Sequence, residues 1–205
     1  MKITILGTGN VGSALGKGWI VAGHSVLFGA RNSASPKAQK IQDLLPDVRI
    51  QSVEDAVKGA EVLVITTPPE VVLDLIPSLG DLSGKIIIDA TNSVRTRPGP
   101  YPTAFHAIKA LAPSAEVVKC FNTTGFENLA DPVYQGTGID MFAAGNSLVA
   151  KQAASKLARD LGFETCYDFG GDDKVELLEK LALSWINLAL MQGLGRNIAF
   201  KLVKR

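Results

Sequence analysis

The chain carries no carboxylate before Asp43, only two cysteines and two histidines, and no apolar run long enough to span a bilayer. Each shortage excludes something. Cys120 and Cys166 fall in apolar surroundings without C-x-x-C or zinc-type spacing, so neither a disulfide framework nor a metal site is read here. Buried free thiols, suited to a reducing compartment, are expected. The stretch Leu181–Leu194 is uncharged, yet too short and too polar (Ser184, Asn187, Gln192) for a transmembrane helix. The first apolar run stops at Gly7, which argues against a signal peptide and for a cytoplasmic location. Charged residues make up 20% and the formal net charge is +1, so nothing points to nucleic acid or an anionic membrane.

What is present first is a strand that runs straight into a glycine turn: Lys2-Ile-Thr-Ile-Leu6, then Gly7-Thr8-Gly9-Asn10-Val11-Gly12, then an apolar helix pattern. In this context G-x-G-x-x-G reads as a dinucleotide site. Gly7 permits the tight turn, Gly9 lets backbone approach a pyrophosphate, and Gly12 lets helix and strand pack closely. The pyrophosphate would rest on the positive N-terminal end of the helix. The missing acid then selects the dinucleotide. An NAD site places Asp or Glu after the second strand, whereas this chain reads Gly29-Ala30-Arg31-Asn32-Ser33 there, with Lys37 close behind. A guanidinium at Arg31 suits a 2′-phosphate, and Ser33 adds a hydroxyl donor. NADP is expected over NAD.

Strand and helix patterns alternate, which predicts an α/β fold of the Rossmann type: a doubly wound, mostly parallel sheet with a C-terminal helical segment. Strands are expected at 2–6, 25–28, 48–51, 62–66, 86–89, 116–120, 140–144 and 165–169. Helices are expected at 11–22, 37–45, 53–58, 70–76, 103–111 and 148–161. Val62-Leu-Val-Ile65 and Ile86-Ile-Ile88 are continuously apolar, as central parallel strands are. Residues 1–170 are read as the dinucleotide-binding domain and 171–205 as a helical segment packed on it or in a dimer interface. Leu181–Leu194, apolar nearly all round, must be buried under the sheet or between subunits. Gly193 and Gly195 should break that helix before a short final one.

Ligands in such sheets occupy the crevice at the carboxyl ends of the strands. Thr66-Thr67-Pro68-Pro69 should edge the adenosine and ribose end, although a stiff strand-to-helix turn explains it equally. Asn92 opens a long loop carrying Arg95 and Arg97, suited to an anionic substrate or simply a surface loop. Asn122 and Thr123, after the sixth strand, should flank the nicotinamide. Neither titrates near neutral pH, so their expected role is alignment. His24 sits in a turn and reads as structural; His106 is a weak candidate for the site. The absence of an evident general acid or base favours hydride transfer to a flavin-type ring over reduction of a ketone.

Leu6-Gly-Thr-Gly-Asn-Val-Gly12, Gly29-Ala-Arg31, Val118-Lys-Cys-Phe-Asn-Thr123 and the Leu177–Lys201 segment together resemble the coenzyme F420-dependent NADP oxidoreductases. The core is also similar to the oxidoreductase domain of the six-transmembrane ferric reductases. The resemblance implies hydride transfer between NADP(H) and a deazaflavin or flavin; a homodimer is expected separately, from the uncharged Leu181–Leu194 stretch. It places Asn122 to Gly125 beside the nicotinamide and Thr8, Ala30 and Arg31 on phosphates. Relatives often carry Ser where this chain has Ala30 and a base where it has Asn32, which implies a thinner 2′-phosphate clamp here. The Thr91–Pro102 loop, with its three prolines, also departs from them. Two other readings stand beside this one: a reductase of a small imine or carbonyl compound, and a non-catalytic NADP-binding sensor.

Overall fold

A computed structural model describes all 205 residues. Six parallel strands form most of one sheet: β1 (Lys2–Leu6), β2 (Ser25–Gly29), β3 (Arg49–Gln51), β4 (Val62–Ile65), β5 (Ile86–Asp89) and β6 (Glu116–Lys119). They lie in the order β3-β2-β1-β4-β5-β6, so the chain reverses direction across the sheet between β1 and β4 and opens a crevice there. The crossovers carry α1 (Asn10–Val21), α2 (Pro36–Leu44), α3 (Val53–Lys58), α4 (Val72–Ser78) and α5 (Ala104–Leu111). Local chemistry starts several of these helices. The Ser35 and Ser52 hydroxyls accept from the amides of Ala38 and Asp55, and Pro36 occupies the first turn of α2.

Because β4 and β5 have no polar side until Asp89, both sheet faces must be covered. One face packs Ile3, Ile5, Trp19, Phe28, Val118 and Leu157. The other packs Leu6, Leu63, Ile65, Ile87, Phe105 and Leu178. At roughly 1.5–3 kcal/mol for each large side chain buried, these two layers dominate the stability of the fold.

The sheet continues past β6 with β9 (Asp140–Ala144) and β10 (Thr165–Gly170), joined by α7 (Leu148–Asp160). Here β9 meets β6 antiparallel while β10 pairs with β9 in parallel. The last two strands therefore run against the first six, and the N-terminal end of β9 faces the crevice. Between β6 and β9 lie three elements not expected from the sequence. One is the short helix α6 (Phe126–Ala130). The others are the paired strands β7 (Val133–Tyr134) and β8 (Thr137–Gly138), joined through Gln135 and Gly136 at φ 50° and 82°. Positive φ at both central residues is what a tight hairpin requires.

The C-terminal segment differs from expectation in two ways. Helix α8 (Val175–Ile186) continues as a π-helical turn at Asn187–Met191, and no final helix follows Gly193 and Gly195. Side chains take up the tail's backbone instead. Trp185 Nε1 and Asn128 Nδ2 both donate to the Ile198 carbonyl, at 2.6 and 2.7 Å. Asp140 accepts from the Leu202 amide at 2.7 Å. Nor is the uncharged stretch buried under the sheet: Ala182, Trp185 and Ala189 are buried, but Leu183, Leu190, Met191 and Leu194 are exposed.

No helix is long and apolar enough to cross a membrane. Cys120 is buried and Cys166 half-buried, both free; burial, with Cys166 beside it, pushes the Cys120 thiol well up. His24 ties the N-terminus to the end of α7, with Nδ1 at 3.2 Å from the N-terminal ammonium and Nε2 at 2.8 Å from Asp160.

Candidate active site

The turn between β1 and α1 is built on steric exclusion. Gly7 has φ +135°, and a Cβ there would sit 2.4 Å from Thr66 Oγ1; one on Gly12 would sit 2.5 Å from the Gly7 carbonyl oxygen. Gly9 is different, because a Cβ on it would meet nothing within 4 Å. Its missing side chain leaves open space in front of the helix. The first bond of the α1 ladder runs from the Ser13 amide to the Gly9 carbonyl, and no side chain caps the helix. The amides of Asn10, Val11 and Gly12 therefore lie ahead of the ladder, and a group carrying phosphate oxygens fits this cradle.

At the end of β2, Ala30 is buried and donates its amide to the Gln51 carbonyl at 3.0 Å. Arg31, Asn32 and Ser33 are exposed beyond it. Asn32 Oδ1 accepts from the Ala34 amide, which shapes the turn, and Arg31 and Ser33 stand exposed on either side of it in sequence. Across the switch point, Thr66 and Thr67 are half-buried and Pro68 is exposed. Thr66 donates toward the Gly7 carbonyl at 3.3 Å, whereas Thr67 Oγ1 is buried with no partner.

The loops after β5 and β6 meet. Asn92 Nδ2 donates to the Asn122 carbonyl at 3.2 Å, and Asn122 Nδ2 to Asn92 Oδ1 at 3.4 Å. Asn122 is buried, and its Oδ1 has no partner. A buried unpaired amide oxygen is costly, on the order of 1–3 kcal/mol, unless a donor arrives from outside the protein. Thr123 is placed differently: its hydroxyl is directed to Met141 Sδ at 3.7 Å, toward the core. Immediately before Asn122, Phe121 takes φ +63°, a left-handed conformation that is strained for a bulky side chain. Burial of its ring edge-on against Trp19, with centroids 5.6 Å apart, holds it there. This left-handed turn takes the chain off β6 into the loop that carries Asn122.

Beneath these loops lies a cluster that sequence reading missed. Lys119, fully buried at the end of β6, has its Nζ 3.0 Å from Asp89 at the end of β5 and 2.7 Å from Glu179 on α8. It also donates to the Thr91 carbonyl at 2.6 Å. Glu179 accepts from the Ser93 amide and Asp89 from the Thr91 amide, both at 2.9 Å. Burial alone would push the ammonium's pKa down, but the two carboxylates outweigh it and hold Lys119 above its ordinary value. A signal existed. Ile-Ile-Ile-Asp89 and Val-Val-Lys119 end buried strands in a charge, and Glu179 falls on the apolar face of α8 marked by Val175, Leu178 and Ala182. Charges at such positions require partners.

Residues 2–93 match the family described as NADP oxidoreductase, coenzyme F420-dependent. The matched stretch takes in the glycine turn and the Ala30–Ser33 turn after β2. Metalloreductase STEAP3 of Rattus norvegicus is 28% identical over 97% of this chain, which spans 40% of that relative's length. The F420-dependent NADP reductase of Methanothermobacter thermautotrophicus is 26% identical, over 92% of this chain and 89% of its own. Among solved structures, a putative F420-dependent NADP-reductase from Arthrobacter sp. FB24 superposes with TM-score 0.86 at 28% identity, each chain covered in full. A reductive aminase from Aspergillus terreus in complex with NADPH and ethyl levulinate shares the fold, with TM-score 0.70 over 94% of this chain and 62% of its own at 19% identity. The chain thus has the Rossmann architecture of these structures, and the family match falls on the part that carries its glycine turn and the arginine after β2.

Proposed function

We propose that the chain transfers a hydride between NADP(H) and a deazaflavin or flavin. In this reading Gly7–Gly12, with Thr8, Asn10 and Val11, cradles the pyrophosphate. Ala30, Arg31, Asn32 and Ser33 receive the 2′-phosphate, and Thr67, Pro68 and Asn92 line the ribose path. Asn122 holds the carboxamide side of the nicotinamide, with Thr123 supporting its loop through Met141. The dinucleotide supplies the hydride; the protein aligns two rings and excludes water. Residues 1–170 form the dinucleotide-binding part, and 171–205 pack on it and present an apolar face to a second copy.

The observation that carries the choice of acceptor is the state of Lys119, the one strongly basic side chain buried under these loops. It is held by two carboxylates and a carbonyl, so it is not a free proton donor. The groups that line the nicotinamide end are the amides of Asn92 and Asn122, which cannot titrate. A carbonyl substrate needs a proton donor of matched pKa, whereas a flavin-type ring carries its own chemistry. NADPH oxidation should therefore proceed with F420, FMN or FAD and not with cyclic imines or ketones. Turnover of an imine with inert flavins and deazaflavin would reverse the assignment. Asn122→Ala should slow hydride transfer to the ring acceptor, retain NADPH binding, and leave the shape of the pH–rate profile as in wild type. A changed profile would mean that proton transfer runs through this loop.

A further inference from the structure

The buried cluster is unbalanced, with one ammonium facing two carboxylates. Asp89 and Lys119 are wholly buried, and the Glu179 side chain is 7% exposed. The remaining partners, the Thr91 carbonyl and the amides of Thr91 and Ser93, are neutral and cancel no charge. An excess of one negative charge is thus fixed in the interior, where salt screens it little. Its position is set by the sheet. Asp89 and Lys119 end neighbouring strands at paired positions, and Thr91 adjoins Asn92, which is hydrogen-bonded to Asn122 with its unpaired Oδ1. The charge lies under the same strand ends as the loop assigned to the nicotinamide.

We propose that the Asp89–Lys119–Glu179 cluster makes the crevice prefer the oxidised nicotinamide, and so biases the protein-bound equilibrium toward hydride on the acceptor. This rests on the hydride-transfer reading above. Loss of a hydride, one proton with its two electrons, breaks a C–H bond of the neutral reduced ring and leaves that ring with one positive charge. The deazaflavin or flavin takes the hydride into a new bond and a proton from water. A fixed negative charge lowers the energy of the cationic ring and leaves the neutral one nearly unaffected. Glu179 is a positioning residue here, acting on the ring through its field and through the loop it anchors at Ser93.

Separate titrations with NADP+ and NADPH test this, because the ratio of the two dissociation constants isolates the charge effect from general damage. Glu179→Gln keeps the size of the side chain and an acceptor for the Ser93 amide while removing one charge. The ratio Kd(NADP+)/Kd(NADPH) should rise on the order of tenfold. For a two-electron couple that raises the potential of the bound cofactor by about 30 mV. Glu179→Asp, which keeps the charge, should leave the ratio unchanged. Should Glu179→Gln not fold, Asp89→Asn carries the same expectation. A ratio equal to wild type in the folded charge-removing variants, including equal weakening of both forms, overturns the proposal and leaves the hydride-transfer reading standing. Wild-type protein that binds neither dinucleotide removes that reading and this proposal together.

Discussion

Lys119 shows how a single side chain can be costly alone and stabilising in company. Desolvation opposes its charge, and only Asp89 and Glu179 reverse the balance. Lys119→Met should destabilise the protein by about 3–5 kcal/mol in chemical denaturation, because it leaves two buried carboxylates unpaired. The pH dependence has a definite sign. A lysine whose folded pKa is raised contributes stability that is complete below its unfolded value of 10.5 and is lost as pH rises through the folded value. Wild type should therefore lose stability above pH 10.5 by a component that Lys119→Met lacks, read from denaturation midpoints across alkaline pH. At the other end of the cofactor, Arg31→Ala should lower NADPH affinity by the equivalent of roughly 1.5–3 kcal/mol, about tenfold to a hundredfold, and leave NADH affinity unchanged. Equal affinities for NADPH and NADH in wild type would remove Arg31 from the site.

The turn between β1 and α1 separates two jobs that one motif does. Gly12→Ala drives a methyl group against the Gly7 carbonyl, so it should cost stability and cofactor binding together. Gly9→Ala meets no protein atom and has no positive φ to lose. Its melting temperature should match wild type while NADPH affinity falls, since the methyl occupies the space in front of the helix. A Gly9→Ala protein that bound NADPH normally would place the pyrophosphate elsewhere. This turn was legible in the sequence because its constraint is local: three glycines, a strand before and a helix after. The apolar runs of β4 and β5 were legible for the same reason. The direction of β9 and β10 was not, because apolar periodicity is the same whichever way a strand runs. The charge cluster joins residues 30 and 60 positions apart (119 − 89 and 179 − 119), and pairing at that range belongs to tertiary structure. The final helix failed for a related reason. Asn128, Asp140 and Trp185 offered the tail better partners than its own backbone could.

Across the whole molecule, one group of exposed apolar side chains is Leu183, Leu190, Met191 and Leu194 at the end of the C-terminal segment, at 44% to 71% of their surface. On the dimer reading proposed above, these side chains are expected to pair about a two-fold axis, which lets the same patch serve both partners. Light scattering at micromolar concentration should give twice the 21.7 kDa chain mass, and Met191→Glu should halve it. A monomeric wild type would count decisively against the pairing. The charge cluster bears on the same scale through α8. That helix supplies Val175 and Leu178 to the buried layer on one face of the sheet and Glu179 to the cluster, so the segment that closes this face is also the one that leaves its interior with an odd charge.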